Sequence, residues 1–235
     1  MSSNEQELRV GREQHPQIIK AFGGRFGSPE LRRYVDSIGQ LLTRTVERKT
    51  FKYTFTLLNS KIVNAFALPG GYIYISRGLM ALAENEAELA GVLAHELGHI
   101  NALHHGRREG QGLLANILLA GVGIAGGRAA ADLGSLVVGG ALRSYSREHE
   151  LESDSLALRY MSRAGYDPEA MVYFLRKMRA SSRLQARRQG KSPDKVDEFN
   201  YLATHPAPAA RVRLASQQAR KYQVKKPMRA RNIYL

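Results

Sequence analysis

Apolar residues along the chain recur with two different periods. After Ser28 and Pro29, the residues Leu31, Val35, Ile38, Leu41 and Leu42 fall three or four apart. That spacing places them on one stripe of a helix, with Ser28 as N-cap and proline in the first turn, and predicts a helix ending near Arg48. Aromatic and β-branched residues then dominate Phe51–Leu58, Ile62–Leu68 and Tyr72–Ser76, separated by Asn59-Ser60-Lys61 and Pro69-Gly70-Gly71. These runs predict three strands forming a small antiparallel meander. Helical spacing returns with Leu89, Leu93, Leu97 and Ile100, on a helix predicted over Glu86–Leu103. Asn85 is its cap, and Glu88 three residues on completes a capping-box-like pair. Further helices are predicted over about Ser146–Ala164, Asp167–Met178 and Ala209–Tyr222, whereas polar, basic Arg179–Tyr201 reads as a loop. There is no internal repeat. The fold class is α+β, mainly helical, with one small sheet.

Composition narrows the chemistry. With 235 residues, 43% hydrophobic and 24% charged, the chain is a globular protein rather than a disordered or low-complexity one. It has no cysteine, which excludes disulfides and thiolate metal sites, so any metal must be held by His, Asp or Glu. The net charge of +14 is concentrated at one end: Arg176–Leu235 holds 16 Lys/Arg against 3 Asp/Glu. A block of this kind is either a solvated tail or a surface for an anionic membrane, nucleic acid or an acidic partner. It carries no aromatic-interleaved platform or reading motif, so no specific nucleic acid is expected.

Met1-Ser-Ser-Asn-Glu-Gln-Glu lacks the apolar core of a secretory leader. The apolar run Leu113–Gly127 is 15 residues long, short of the roughly 18–20 that span a bilayer. Gly112–Leu142, with seven glycines from Gly121 to Gly140, reads as an apolar loop or helical hairpin and a candidate lid.

The segment His95-Glu96-Leu97-Gly98-His99 carries the sharpest signal. Histidines at i and i+4 leave the same helical face one turn apart, close enough for both to reach one zinc ion. Glu96 can reach water at that ion without being a ligand. Two satisfied histidines on a buried helix is the alternative. A third ligand is best sought in Ser146–Asp154. There Glu150 and Asp154 share a face with Ala157, Leu158 and Met161, whereas Glu148 and Glu152 share theirs with Ser155 and Arg159. Carboxylates on an apolar face are costly unless paired or metal-bound, which selects Glu150 as ligand and Asp154 as the acceptor that orients a ligand histidine. Glu148 and Glu152 are expected at the surface. His15, His104, His105 and His149 are left without a role.

Taken together, His95–His99 and Glu150-Leu151-Glu152-Ser153-Asp154 resemble the gluzincin metalloendopeptidases related to HtpX, BepA and the CAAX prenyl proteases. Asn64–Gly71 is similar to the family's edge strand, and Thr204-His205-Pro206 with Arg211 to its C-terminal motif. Ser153 stands where the family usually has a small apolar residue. The resemblance implies a zincin-like fold whose sheet packs on the zinc helix, and one Zn2+ per chain. Residues 1–50 would form a helical segment on a metallopeptidase core at 51–215, followed by a basic tail at 216–235. His205 would lie near the open zinc position, contacting substrate or filling that position in a latent state, and Arg211 would shape the cleft. A cap before a proline-started helix is the simpler role for His205. Asn64, Ala65, Phe66 and Ala67 could pair with an extended substrate, or be an ordinary sheet edge. The implied activity is hydrolysis of peptide bonds in misfolded or misassembled envelope proteins, with peripheral contact to a membrane or to outer-membrane assembly machinery. The implied location is the periplasm or envelope, a cytoplasmic one being the alternative. A chaperone or adaptor on the same scaffold is the alternative function.

Overall fold

The computed structural model describes residues 4–104, 145–188, 209–222 and 224–228, with 190, 192, 193 and 205. The candidate lid at Gly112–Leu142 lies outside the described residues. In chain order the elements are α1 (Asn4–Ala21), α2 (Pro29–Thr43), β1 (Thr54–Leu58), β2 (Ala65–Leu68) and β3 (Tyr72–Ser76). They continue with α3 (Arg77–Met80), α4 (Glu86–Asn101), α5 (Arg147–Ala164), α6 (Glu169–Arg188) and α7 (Ala209–Ala219). The α+β class holds.

The sheet is mixed, which corrects the antiparallel meander. Its order is β1-β3-β2, with β1 parallel and β2 antiparallel to β3. Pro69-Gly70-Gly71 does make a hairpin, with both glycines in the left-handed region at φ 81° and 89°. The chain between β1 and β2 instead passes across the sheet, which lets β3 take the centre. Both faces are covered. Phe55, Leu57, Ile73, Ile75, Ala65 and Ala67 face the core shared with α2 and α4. Leu58, Tyr74, Phe66 and Leu68 face a second cluster with Ile18 and Phe22 at the end of α1. Burial on both sides explains why these strands read as nearly continuous apolar runs.

Helix α4 is the axis of the molecule. Every residue from Ala87 to Ile100 is buried, so the four-residue stripe understates a helix enclosed by α2, α5, α6 and the sheet. Its N-terminus is held by Asn85 Oδ1, which accepts from Glu88 N–H at 3.0 Å, and the Glu88 carboxylate reaches back to Glu84 N–H at 3.0 Å. Glu86 accepts from the hydroxyls of Tyr34 and Tyr166 at 2.7 Å each. Two helices are misjudged from sequence. α2 stops at Thr43, and α6 runs ten residues beyond Met178 because Met178, Ser182 and Ala186 bury one stripe four residues apart. Small residues amid arginines conceal that stripe. Among the described residues, no helix is long and apolar enough to cross a membrane.

Helices α4 and α5 pass close to one another at Gly98. A Cβ there would stand 2.9 Å from the carbonyl oxygen and 3.1 Å from the Cα of Ser153. The Ser153 hydroxyl donates to the His95 carbonyl, so the serine satisfies a backbone acceptor where the resemblance leads one to expect an apolar residue. Gly98→Ala must therefore push the two helices apart. We expect a loss of about 1–3 kcal/mol in urea unfolding.

Candidate active site and metal centre

Four helices converge on the site, or lie beside it, and each residue's position follows from its helical register. His95 and His99 project from one face of α4, and Glu150 and Asp154 from the buried face of α5. The carboxylate face chosen from periodicity is thus the one that points inward: Glu150 and Asp154 are buried, Glu148 and Glu152 exposed. His95 Nε2 and His99 Nε2 lie 3.0 Å apart, and each lies within 3.5 Å of a Glu150 carboxylate oxygen. His205 joins them, its Nδ1 at 2.8 Å from Glu150 Oε1 and its Nε2 at 3.2 Å from Glu96 Oε1. His95, His99, Glu150 and His205 each offer one ligand atom, all within 4.8 Å of one another.

The residues fit a zinc ion. Three or four nitrogen and carboxylate donors, buried and converging, are the ligand chemistry zinc prefers. Among the described residues, Glu96 Oε2 is buried without a hydrogen-bond partner.

Charge in the pocket is set by one cation. Arg211, from α7, is buried and donates to Asp154 through Nε and Nη2 at 2.7 Å each, while its Nη1 meets Glu150. Asp154 Oδ1 also lies 2.9 Å from His95 Nδ1, fixing the ring from behind. Burial alone would raise the Glu150 carboxyl, but Arg211 first, then His205 and His95, hold it well below the usual range. The same arginine lowers Asp154 against its burial. Burial and Arg211 pull His95 down, yet hydrogen bonds to Asp154 and Glu150 outweigh them and raise it to about 9 in the metal-free protein. Burial drives His99 well below the ordinary imidazole value and pushes Glu96 up.

Of the substrate-side residues, Asn64 and Ala65 line a narrow apolar pocket that opens beside His95 and Glu96. Val92, Phe174, Leu175 and Met178 complete its wall. Strand β2 is a sheet edge, paired among the described residues only with β3. Phe66 turns away from the pocket, stacking on Tyr74 at 4.9 Å between ring centroids. Two aromatic residues escaped the sequence reading. Tyr145 stacks on His99 at 3.8 Å, and His104, fully buried, places its Nδ1 2.8 Å from His99 Nδ1. His15, by contrast, hydrogen-bonds Tyr74 Oη at 2.7 Å, far from the site in the sheet's other layer.

Fold and site together give a helix bearing two histidines and a glutamate, packed against a second helix that brings a carboxylate to the same place, a group that could hold a metal ion. The chain belongs to peptidase family M48, whose profile matches residues 29–219. It is similar to the beta-barrel assembly-enhancing protease of Escherichia coli, 29% identical over 224 residues covering 91% of this chain and 44% of that protein. The protein of the same name from Yersinia pestis is 31% identical over 234 residues, 92% of this chain and 44% of its own length. The mitochondrial metalloendopeptidase OMA1 of Schizosaccharomyces pombe is 25% identical over 228 residues, 94% of this chain and 63% of that protein. The chain therefore spans less than half the length of these bacterial relatives.

Arg211→Leu should leave two buried carboxylates without their cation, at a cost of about 3–5 kcal/mol in the metal-free protein. Glu150 and Asp154 ionise below the usual range in the folded state, so the stability they contribute is present at neutral pH and is lost as pH falls through their folded values. The leucine variant loses the largest lowering cause, so urea midpoints of the metal-free protein measured from about pH 5 downward should fall for the native chain and fall less steeply for the variant.

Proposed function

We propose that this chain is the catalytic part of a zinc-dependent endopeptidase that hydrolyses peptide bonds in proteins. The observation that carries the reading is the convergence of His95 Nε2, His99 Nε2 and Glu150 with Glu96 one residue along the same helix. Zinc bound there supplies a Lewis acid for the scissile carbonyl and makes water acidic enough to be a nucleophile near neutral pH. Glu96 accepts the proton of the attacking water and passes it to the leaving amine. Burial raises its carboxyl, which makes it a stronger base than an exposed carboxylate for the first of these acts. Asp154 holds His95 in one tautomer, and Arg211 holds Asp154. Extended substrate lies beside β2 from Asn64 to Ala67, and the neighbouring apolar pocket takes a side chain.

The substrates we propose are misfolded or misassembled envelope proteins, and the proposed location is the periplasm or envelope. Support comes from the likeness to proteases named for β-barrel assembly. Peripheral contact with a membrane or with outer-membrane assembly machinery fits a groove between α6 and α7 lined by Arg176, Arg179, Arg213 and Arg220. A second reading, a latent or non-proteolytic chaperone or adaptor, is favoured by His205 standing within the ligand set, where it can fill the position that hydrolysis needs open.

Elemental analysis after dialysis should find one zinc per chain. Glu96→Gln should keep that zinc and lower kcat on a casein-like substrate by about 10²–10⁴-fold. Retention of full activity would remove Glu96 from the mechanism, and full function of the variant in cells would favour the chaperone. The same variant should be at least as stable as the native metal-free chain at pH 7. Because the folded Glu96 value is raised, ionisation opposes folding at neutral pH, and the variant's advantage should shrink as pH falls through that value.

A further inference from the structure

The end of α4 is built in an unusual way. Leu103 adopts φ 58°, a left-handed conformation ordinarily filled by glycine. Leu103 N–H donates to the Ile100 carbonyl at 3.2 Å, and His104 N–H to the His99 carbonyl at 3.0 Å. These two bonds make a Schellman motif, in which the residue after the left-handed position folds back onto the helix's last turn. That contact is commonly apolar. Here it is a histidine against a histidine, with His104 fully buried and its Nδ1 2.8 Å from His99 Nδ1. The Leu103 side chain is 37% exposed, so core packing does not account for its conformation. What the turn does achieve is the placement of His104.

The opposite nitrogen of His104, Nε2, lies 3.1 Å from Glu152 Oε2. Two ring nitrogens 2.8 Å apart need one proton between them, so one must donate and the other accept. A metal at His99 Nε2 takes that lone pair and leaves the proton on His99 Nδ1. His104 must then accept at Nδ1 and carry its own proton at Nε2, where the Glu152 carboxylate receives it. With both histidines neutral, the reverse arrangement would aim a lone pair of His104 at that carboxylate and a proton of His99 into the ligand cluster. Glu152 therefore selects the arrangement that binds metal. His149, stacked on His104 at 4.1 Å between ring centroids, and Tyr145, stacked on His99 at 3.8 Å, limit the tilt of both rings.

We propose that His104 and Glu152 are positioning residues that hold His99 in its zinc-binding tautomer and orientation, as Asp154 does for His95. The proposal rests on the zinc reading above. It gives both residues a role that the sequence left unassigned: His104 is buried against a ligand, and Glu152, at the surface as expected with its side chain 53% exposed, completes the chain from ligand to surface. The two supports differ in kind. Asp154 is buried and clamped by Arg211, whereas the His99 support ends in a carboxylate open to solvent.

The test is zinc affinity of the full chain by chelator competition, with the melting temperature of the metal-free protein measured beside it. His104→Phe fills the space but cannot accept from His99, and should weaken zinc binding by about 10–100-fold. His104→Asn keeps an acceptor near the Nδ1 position and should stay within about threefold of the native chain, well short of the loss for an absent partner. A phenylalanine variant that binds zinc like the native protein, or an asparagine variant that loses as much as phenylalanine, overturns the proposal. Should the phenylalanine variant not fold, Glu152→Ala decides, because its side chain lies at the surface. A fall of about threefold or more supports the chain of contacts, and a smaller change overturns it. If the native protein itself holds no zinc, the metallopeptidase reading fails, and this one with it.

Discussion

The structure depends on what it takes to bury three carboxylates in one place. Glu96, Glu150 and Asp154 are at most 2% exposed, in the seam between the two helices that carry the candidate ligands. Isolated there, each would be forced to take up a proton or would open the seam to water. Arg211 prevents this for two of them by spanning Asp154 and Glu150 with all three of its guanidinium nitrogens. Glu96 has no such partner. Its charge is opposed by burial, and the His205 ring lies beside it, Nε2 at 3.2 Å from Oε1. The architecture thus separates two carboxylates kept ionised from one kept close to its proton, which is the division of labour that ligand and proton carrier require.

Much of that arrangement is legible in the sequence because helices translate spacing into direction. His95 and His99 share a face at any tilt of α4, and only one register of α5 sets acidic residues on its apolar side. Sheet order is different. β1 and β3 pair through main-chain hydrogen bonds between residues 18 apart, and nothing in side-chain alternation says which neighbour a strand buried on both faces will choose. α6 was cut short for a related reason, since Ser182 and Ala186 fill core positions with side chains too small to register as apolar. His104 was invisible for a third reason. Continuing α4 as a regular helix puts it on the wrong face, and only the left-handed turn at Leu103 brings it back beneath His99.

That turn shows how local backbone geometry and site chemistry depend on each other. A helix that simply ended after Asn101 would leave His99 with one bare nitrogen against the packed interior. The motif that closes the helix supplies the missing acceptor with the same two residues that satisfy the last carbonyls. Ser153 works similarly on the other side, closing the His95 carbonyl while staying small enough for Gly98 to pass. Polar groups around the ligands are thus satisfied by residues whose first duty is to shape helix ends and helix contacts.

The position of Arg211 in the chain has a consequence for biosynthesis. It lies 57 residues beyond Asp154 and 116 beyond His95, on the last helix of the described structure. During synthesis from the N-terminus, both histidines and all three carboxylates emerge well before the cation that makes their burial tolerable. The seam between α4 and α5 can close as a stable unit only once α7 is made and docked. A chain interrupted before that point keeps its acidic interior open to water, so a half-made chain is poorly able to assemble this centre inside the cell that is still producing it.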